Sequence, residues 1–276
     1  MSEQVRVERE AGVGTVILNR PERMNSLTNE LMVALAERLG ELEHDAGVRC
    51  VVLTGAGDRA FSAGADLGGV AARAPRGEAG EPAQPHEPET LEASIARLQR
   101  FQRTSLLLHT MAKPTLAAIN GAAAGASLSM CAACDLRVMS DSAVLTTAFQ
   151  RIGFSGDFGG SYLWTRILGT AKARELYLLG ERVHADRALE LGMVHRVYPQ
   201  AEFRKQVREL AQRLAEGPPV AYRYMKRNLN LAESGLGLQE LLDLEAEAMM
   251  RTARTEDFAR ATAAFLKKEK PEFRGR

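Results

Sequence analysis

The stretch Lys113–Ser129, KPTLAAINGAAAGASLS, decides how the rest of the chain is read. Leu116–Ile119 is an unbroken apolar run, the pattern of a short buried strand. Asn120-Gly121 then marks a tight turn. From Gly121 to Ser127 only Gly, Ala and Ser occur. Small side chains let backbone pack on backbone and let a ligand approach main-chain N–H groups. A helix beginning near Gly125–Ala126 would turn its first N–H groups, which have no partner inside the helix, toward whatever sits there. These residues alone leave two readings open: a site for negative charge developing on an oxygen, or close helix packing.

Outward from that stretch, strands and helices alternate. Val5 and Val7 alternate with Arg6 and Glu8, and Thr15–Leu18 follows a glycine turn, so a hairpin is predicted. Thr28 is placed to cap a helix carrying Leu31, Leu35, Leu39 and Leu42 on one face. Val48–Thr54 is a second buried strand, and it leads to AFSAGADLGG (Ala60–Gly69), another small-residue stretch beside a strand end. Residues 68–89 are rich in Gly, Pro, Ala and Glu without apolar period and are expected to form a mobile flap. A helix over Leu91–Leu108 comes next. This order predicts an α/β fold with largely parallel strands, whose ligands bind at the carboxyl ends of strands. Both small-residue stretches follow strand ends.

Past Arg137-Val138, the loop GFSGDFGGS (Gly153–Ser161) holds one acid, Asp157, among glycines, with Phe154, Phe158 and Trp164 nearby. Such an aspartate can be a turn residue, an N-cap, or a base, and apolar neighbours would raise it above about 3.9 and make it a usable base. After residue 200 the composition is almost wholly helical. The expected organisation is a core domain over residues 1–200 and a helical region over residues 201–276.

Bulk properties exclude several classes. A formal net charge of +1 gives no electrostatic case for nucleic acid as the main partner. No apolar run approaches the roughly 18 residues of a spanning helix, so no membrane partner is expected. The polar N-terminus lacks a secretory h-region, and three cysteines cannot form a closed disulfide set, so a cytoplasmic setting is expected. Cys131-x-x-Cys134 lies in an apolar helical pattern with no histidine to complete a zinc site, and the five histidines are scattered without ligand spacing. No metal ligands are assigned. Neither nucleotide-binding fingerprint, Gly-x-Gly-x-x-Gly or Gly-Lys-Ser/Thr, is present.

Five segments in register resemble the crotonase (enoyl-CoA hydratase/isomerase) superfamily: RPERMNSL (Arg20–Leu27), VVLTGAGDRAFSAGADL (Val51–Leu67), Lys113–Val138, Ile152–Val197 and AFLKKEKPEF (Ala264–Phe273). The resemblance runs nearly end to end. It implies a spiral of ββα units with a C-terminal helical trimerisation region, assembled as a homotrimer or hexamer. It implies a coenzyme A thioester as substrate, with no metal or redox cofactor. The thioester oxygen would sit between two backbone N–H groups, which by alignment fall on Ala63 and Ala126; alanine replaces the usual glycine at the second but keeps its N–H. Ala63, Asp66 and Leu67 would lie near the adenine and pantetheine, with Arg23 and Lys268 toward the phosphates. Ser62, Ala65, Gly125 and Ser129 would also bind substrate, and residues 68–89 with Phe149, Phe154, Phe158 and Trp164 would shape the acyl pocket.

The acid/base residues depart from the hydratase pattern. Hydratases of the family use two glutamates, and the matching positions here are Ser129 and Phe149. Asp157 instead resembles the aspartate of family isomerases with a Pro-Asp-x-Gly-Gly loop. The expected activity is therefore double-bond isomerisation of an enoyl-CoA, with Asp157 moving the proton. The alternatives are hydration, a catalytically silent acyl-CoA-binding member, and thioester hydrolysis.

Overall fold

The computed structural model describes residues 3–66, 68 and 89–276. Leu67 and, apart from Gly68 and Glu89, the flap expected over residues 68–89 lie outside the described residues.

Two sheets organise the core. The larger one has the order β1 (Val5–Glu10), β2 (Val13–Leu18), β3 (Cys50–Gly55), β5 (Thr115–Ile119), β7 (Leu136–Ser140) and β10 (Arg196–Tyr198), antiparallel between β1 and β2 and parallel elsewhere. The smaller one joins β4 (Ala60–Ser62), β6 (Ala122–Ala124), β8 (Val144–Thr146) and β9 (Val183–His184). Strands β3, β5 and β7 of the first sheet are each followed directly by a partner in the second, and then by a helix or by the undescribed segment and a helix. This is the ββα repeat that the sequence led one to expect. The helices that follow these strands include α1 (Asn29–His44), α2 (Leu91–Thr110), α3 (Ala126–Ala133) and α4 (Gly160–Leu179).

The central strands are buried on both faces, which is why they read as continuous apolar runs rather than as alternation. Side chains still divide by parity: Val51, Leu53, Ala117 and Ile119 face the main core, while Cys50, Val52, Leu116 and Ala118 face a second one. Leu31, Leu35, Leu39 and Leu42 of α1 fill the first core. The helix after residue 200, Phe203–Ala215, closes the second with Phe203, Leu210, Ala211 and Ala215. Thr28 caps α1, accepting from the Leu31 N–H at 3.1 Å. Helix α4 breaks at Gly169 (φ 75°, ψ 161°).

Two buried carboxamides hold the turn between β3 and β4. The side chain of Asn120 accepts from the Gly55 N–H (3.0 Å) and reaches the carbonyls of Gly55, Gly57 and Ala60 at 2.8–3.2 Å. Asn25 accepts from the Arg20 N–H and lies 3.0 and 2.9 Å from the carbonyls of Ala56 and Ala60. No helix among the described residues is long and apolar enough to cross a membrane. Truncating Asn120 to Ala strands several buried backbone groups at once, so Asn120→Ala is expected to lower stability by about 3 kcal/mol, read from the denaturant midpoint at unchanged slope.

Candidate active site

The small-residue stretches meet at the ends of β4 and β6. Gly64 (φ 83°) sits so close to its neighbour that a Cβ there would lie 2.6 Å from the Ala124 carbonyl and 3.7 Å from the Gly125 Cα. The Ser127 hydroxyl ties the two loops, lying 2.8 Å from the Ser62 carbonyl and 2.9 Å from that of Ala124 while accepting from the Ala124 N–H. Ser62 is fully buried, and its hydroxyl accepts from the Gly64 N–H at 3.2 Å, so it shapes this turn.

Helix α3 starts here. Gly125 is its N-cap (φ 56°), and the Ala126 N–H, the first of the helix, makes no hydrogen bond among the described residues. The other expected donor needs correction. The Ala63 N–H is already given to the Met24 carbonyl at 2.9 Å, from a left-handed turn at Met24 and Asn25, and is not available to a ligand. Two residues on, Ala65 bridges in parallel to Leu27, with its flanking groups paired (Leu27 N–H to Gly64 O, Asp66 N–H to Leu27 O). Ala65's own N–H is unpaired among the described residues, and the residue is exposed. The two free donors of this strand-end pair are thus Ala65 and Ala126.

Asp66 does not stand open: its carboxylate meets Arg20 at 3.0 Å and the Ser26 hydroxyl at 3.4 Å. Arg23 is exposed on the short turn beside Met24. Lys268 caps the last helix in a left-handed conformation (φ 59°), and no hydrogen bond or ion pair joins it to these loops among the described residues.

Across from the start of α3 lies the loop that carries Asp157. Phe149 packs within 3.6 Å of a Cβ position on Gly125 and stacks on Tyr177 of α4, ring centroids 6.0 Å apart. Gly156 and Gly160, on either side of Asp157, both abut Tyr177, and a Cβ on Gly160 would collide with both the Tyr177 and the Ser129 hydroxyls. Ser129 lies three residues into α3 from Ala126, about 4.5 Å along the axis. Tyr177 thereby joins Ser129, Phe149 and the Asp157 loop into one cluster next to the start of α3. Asp157 is not a helix cap: Gly159 holds that position, and only the Asp157 carbonyl engages α4, accepting from Gly160 at 3.1 Å. Phe158 is buried (φ 52°), Trp164 belongs to the core, and Phe154, expected near the pocket, is 47% exposed.

The electrostatics single out Asp157. Its Oδ1 is buried without a hydrogen-bond partner, and burial pushes the carboxyl from 3.8 up to about 6. Burial likewise pushes the Tyr177 phenol up to about 12, with the Ser129 hydroxyl opposing the shift and the Asp157 charge adding to it. Cys131 and Cys134 are buried thiols also raised by burial, so they are not thiolates near neutral pH. Two cavities of about 630 and 480 Å³ lie elsewhere, and neither is lined by Ala65, Ala126 or Asp157.

The enoyl-CoA hydratase/isomerase family pattern matches residues 8–276. The chain belongs to that family. It is 35% identical to the 1,2-epoxyphenylacetyl-CoA isomerase of Escherichia coli (strain K12), over 97% of each chain. It is 31% identical to the short-chain-enoyl-CoA hydratase of Clostridium acetobutylicum, over 96% of this chain and 95% of that one. An enoyl-CoA hydratase crystal structure from Polaromonas sp. JS666 superposes with a TM-score of 0.88 at 30% identity, covering 98% of this chain and 99% of the other. The protein is accordingly an enzyme of this family, and what remains is which reaction its own residues perform.

Because Asp157 holds its proton more tightly folded than unfolded, the native state binds the extra proton between about pH 4 and pH 6. Stability therefore falls as pH rises through that window and levels off above it. Asp157→Asn removes the titration. The stability of the variant relative to the parent is expected to gain about 2–3 kcal/mol between pH 4 and pH 7.5, measured by chemical unfolding at each pH. A pH-independent difference would contradict the buried carboxyl.

Proposed function

We propose that the protein is an enoyl-CoA isomerase that moves a double bond by a single-carboxylate proton transfer. The observation that carries this reading is Asp157, a half-buried carboxyl with a buried, unpaired Oδ1 and a pKa of about 6, in the cluster of Tyr177, Ser129 and Phe149 next to a helix start whose first N–H is free. Near neutral pH it is largely ionised and yet a far better base than an exposed aspartate. The isomerase name of the Escherichia coli relative supports the same assignment.

In the proposed cycle, Asp157 takes a proton from the carbon beside the thioester carbonyl. The electrons of that C–H bond move onto the carbonyl oxygen, and the extended enolate is held by the Ala65 and Ala126 N–H groups. The electrons then return through the conjugated system, and Asp157, its acid proton in exchange with solvent, delivers a proton to the far carbon. No atoms are gained or lost. Each backbone donor lowers the barrier by about 2.7–4 kcal/mol, because it points where charge develops and needs no reorganisation. Hydration would need groups to orient and split a water, and Ser129 and Phe149 bring no carboxylate to do so. Arg23, exposed beside the Met24 turn, is proposed to meet the coenzyme A phosphates. Exposed Leu238, Leu242, Met249, Phe265 and Leu266 on the C-terminal helices support assembly as a trimer or a pair of trimers.

Asp157→Asn is expected to slow isomerisation of its acyl-CoA substrate by about 10²–10⁴-fold. The reading also predicts uptake of deuterium from solvent into the thioester, without addition of water, when a panel of straight-chain and cyclic enoyl-CoAs is followed by mass spectrometry. A hydroxyacyl product with no isomer would overturn it in favour of hydration. The donor role has its own test: Ala126 is the first helical residue, a position that accommodates proline and leaves the N–H unused by the helix. Ala126→Pro is expected to keep its unfolding midpoint within a few degrees while kcat drops about 10²–10³-fold.

A further inference from the structure

The pocket beside Asp157 contains more polar chemistry than a proton shuttle along a hydrocarbon requires. The Tyr177 hydroxyl and Asp157 Oδ1 are both buried and make no well-formed hydrogen bond, although the Ser129 hydroxyl lies near enough to the phenol to lower its pKa, and Ser129 itself has only a 3.5 Å contact to the Gly125 carbonyl. Buried polar groups are almost always paired, and each orphan costs about 1–3 kcal/mol. Around them the walls are apolar: the Phe149 ring stacked on Tyr177, buried Phe158, and the small residues at the start of α3. Gly160 keeps the spot open, because any side chain there would strike both hydroxyls.

A purely structural tyrosine would bury its ring and find an acceptor for its O–H. A tyrosine present to steady the base would bond the Asp157 carboxylate, yet that oxygen is itself unpaired. The phenol and the Ser129 hydroxyl both remain O–H donors at every pH the enzyme meets, and a bond from one to the other still leaves one O–H free. Its complement is an acceptor carried by the ligand.

Resting on the acyl-CoA reading above, we infer that Tyr177 is a specificity residue, and that the substrate's acyl group carries a hydrogen-bond-accepting oxygen, an ether or hydroxyl, close to the carbons between which the proton moves. A hydrocarbon acyl group would seal the phenol and Ser129 under apolar surface with nothing to bond. Sites built to bond a substrate oxygen discriminate sharply against the analogue lacking it, because their own polar groups are then left unpaired.

The test uses two saturated thioesters that cannot isomerise, tetrahydropyran-2-ylacetyl-CoA and cyclohexylacetyl-CoA, which differ by one ring oxygen in place of a methylene. Calorimetric titration of the intact protein is expected to show the ether bound at least about tenfold more tightly. In Tyr177→Phe the two affinities are expected to converge, through loss of ether binding with the carbocycle unchanged or improved. Equal affinities in the parent protein overturn the inference and point to a bridging water as the phenol's partner. An ether preference that survives in Tyr177→Phe overturns it as well. Because neither ligand reacts, a failure of the isomerase mechanism leaves this outcome untouched. If neither thioester binds, the acyl-CoA reading falls and the inference with it.

Discussion

Gly64 and Ala124 touch backbone to backbone, and the site depends on that contact. A Cβ on Gly64 would sit 2.6 Å from the Ala124 carbonyl, so no other residue fits without parting the strand ends. The Ser127 hydroxyl then pins the pair through Ser62 and Ala124. One strand end, in the smaller sheet, brings Ala65; the other leads into α3 and brings Ala126. Everything larger in the fold, including the two mostly parallel sheets and the carboxamides of Asn25 and Asn120 behind the turn, keeps those two ends in register.

In the proposed cycle, charge and proton fall to different parts of the molecule. The proposed charge-holding groups are main-chain N–H dipoles, fixed by the strand ends and the helix start, that need no particular side chain. The proposed proton-moving group is a side chain on a glycine-rich loop, its pKa raised by burial. The cost is visible in the same place, since an unpaired Asp157 oxygen and an unpaired phenol lie together in an apolar pocket. Such concentrations of unsatisfied polarity are tolerated where a ligand completes them.

The frame was legible in the sequence where residues carry strong periodicity. The leucines of α1, the Thr28 cap, the buried runs of β3 and β5 and the break at Gly169 all announce themselves through side-chain type or backbone demand. The second sheet did not, because β4, β6 and β8 are only three residues long and include runs such as Ala-Ala-Ala with no period to detect. The small-residue loops were recognisable as a pair, but not which N–H in Ser62–Ala65 is free. That depends on a carbonyl nearly forty positions away, at Met24, turned inward by two residues with positive φ. Asp157 stood out as an acid among glycines. Tyr177 did not: within Leu176–Leu179 it looks like one more core residue of a helix, and only the fold turns its hydroxyl toward Ser129.

The main-chain nature of the donors has an evolutionary consequence. Substitution at positions 65 or 126 changes a side chain but leaves the N–H in place, so the charge-holding half of the site is robust to most mutations. Positions 129, 149, 157 and 177 belong to four separate elements, and none of them lies on the strand ends. A scaffold divided this way can exchange one reaction for another by few steps, each passing through a folded and thioester-binding ancestor. In this chain Ser129, Phe149 and Asp157 are the positions at which such an exchange would be read.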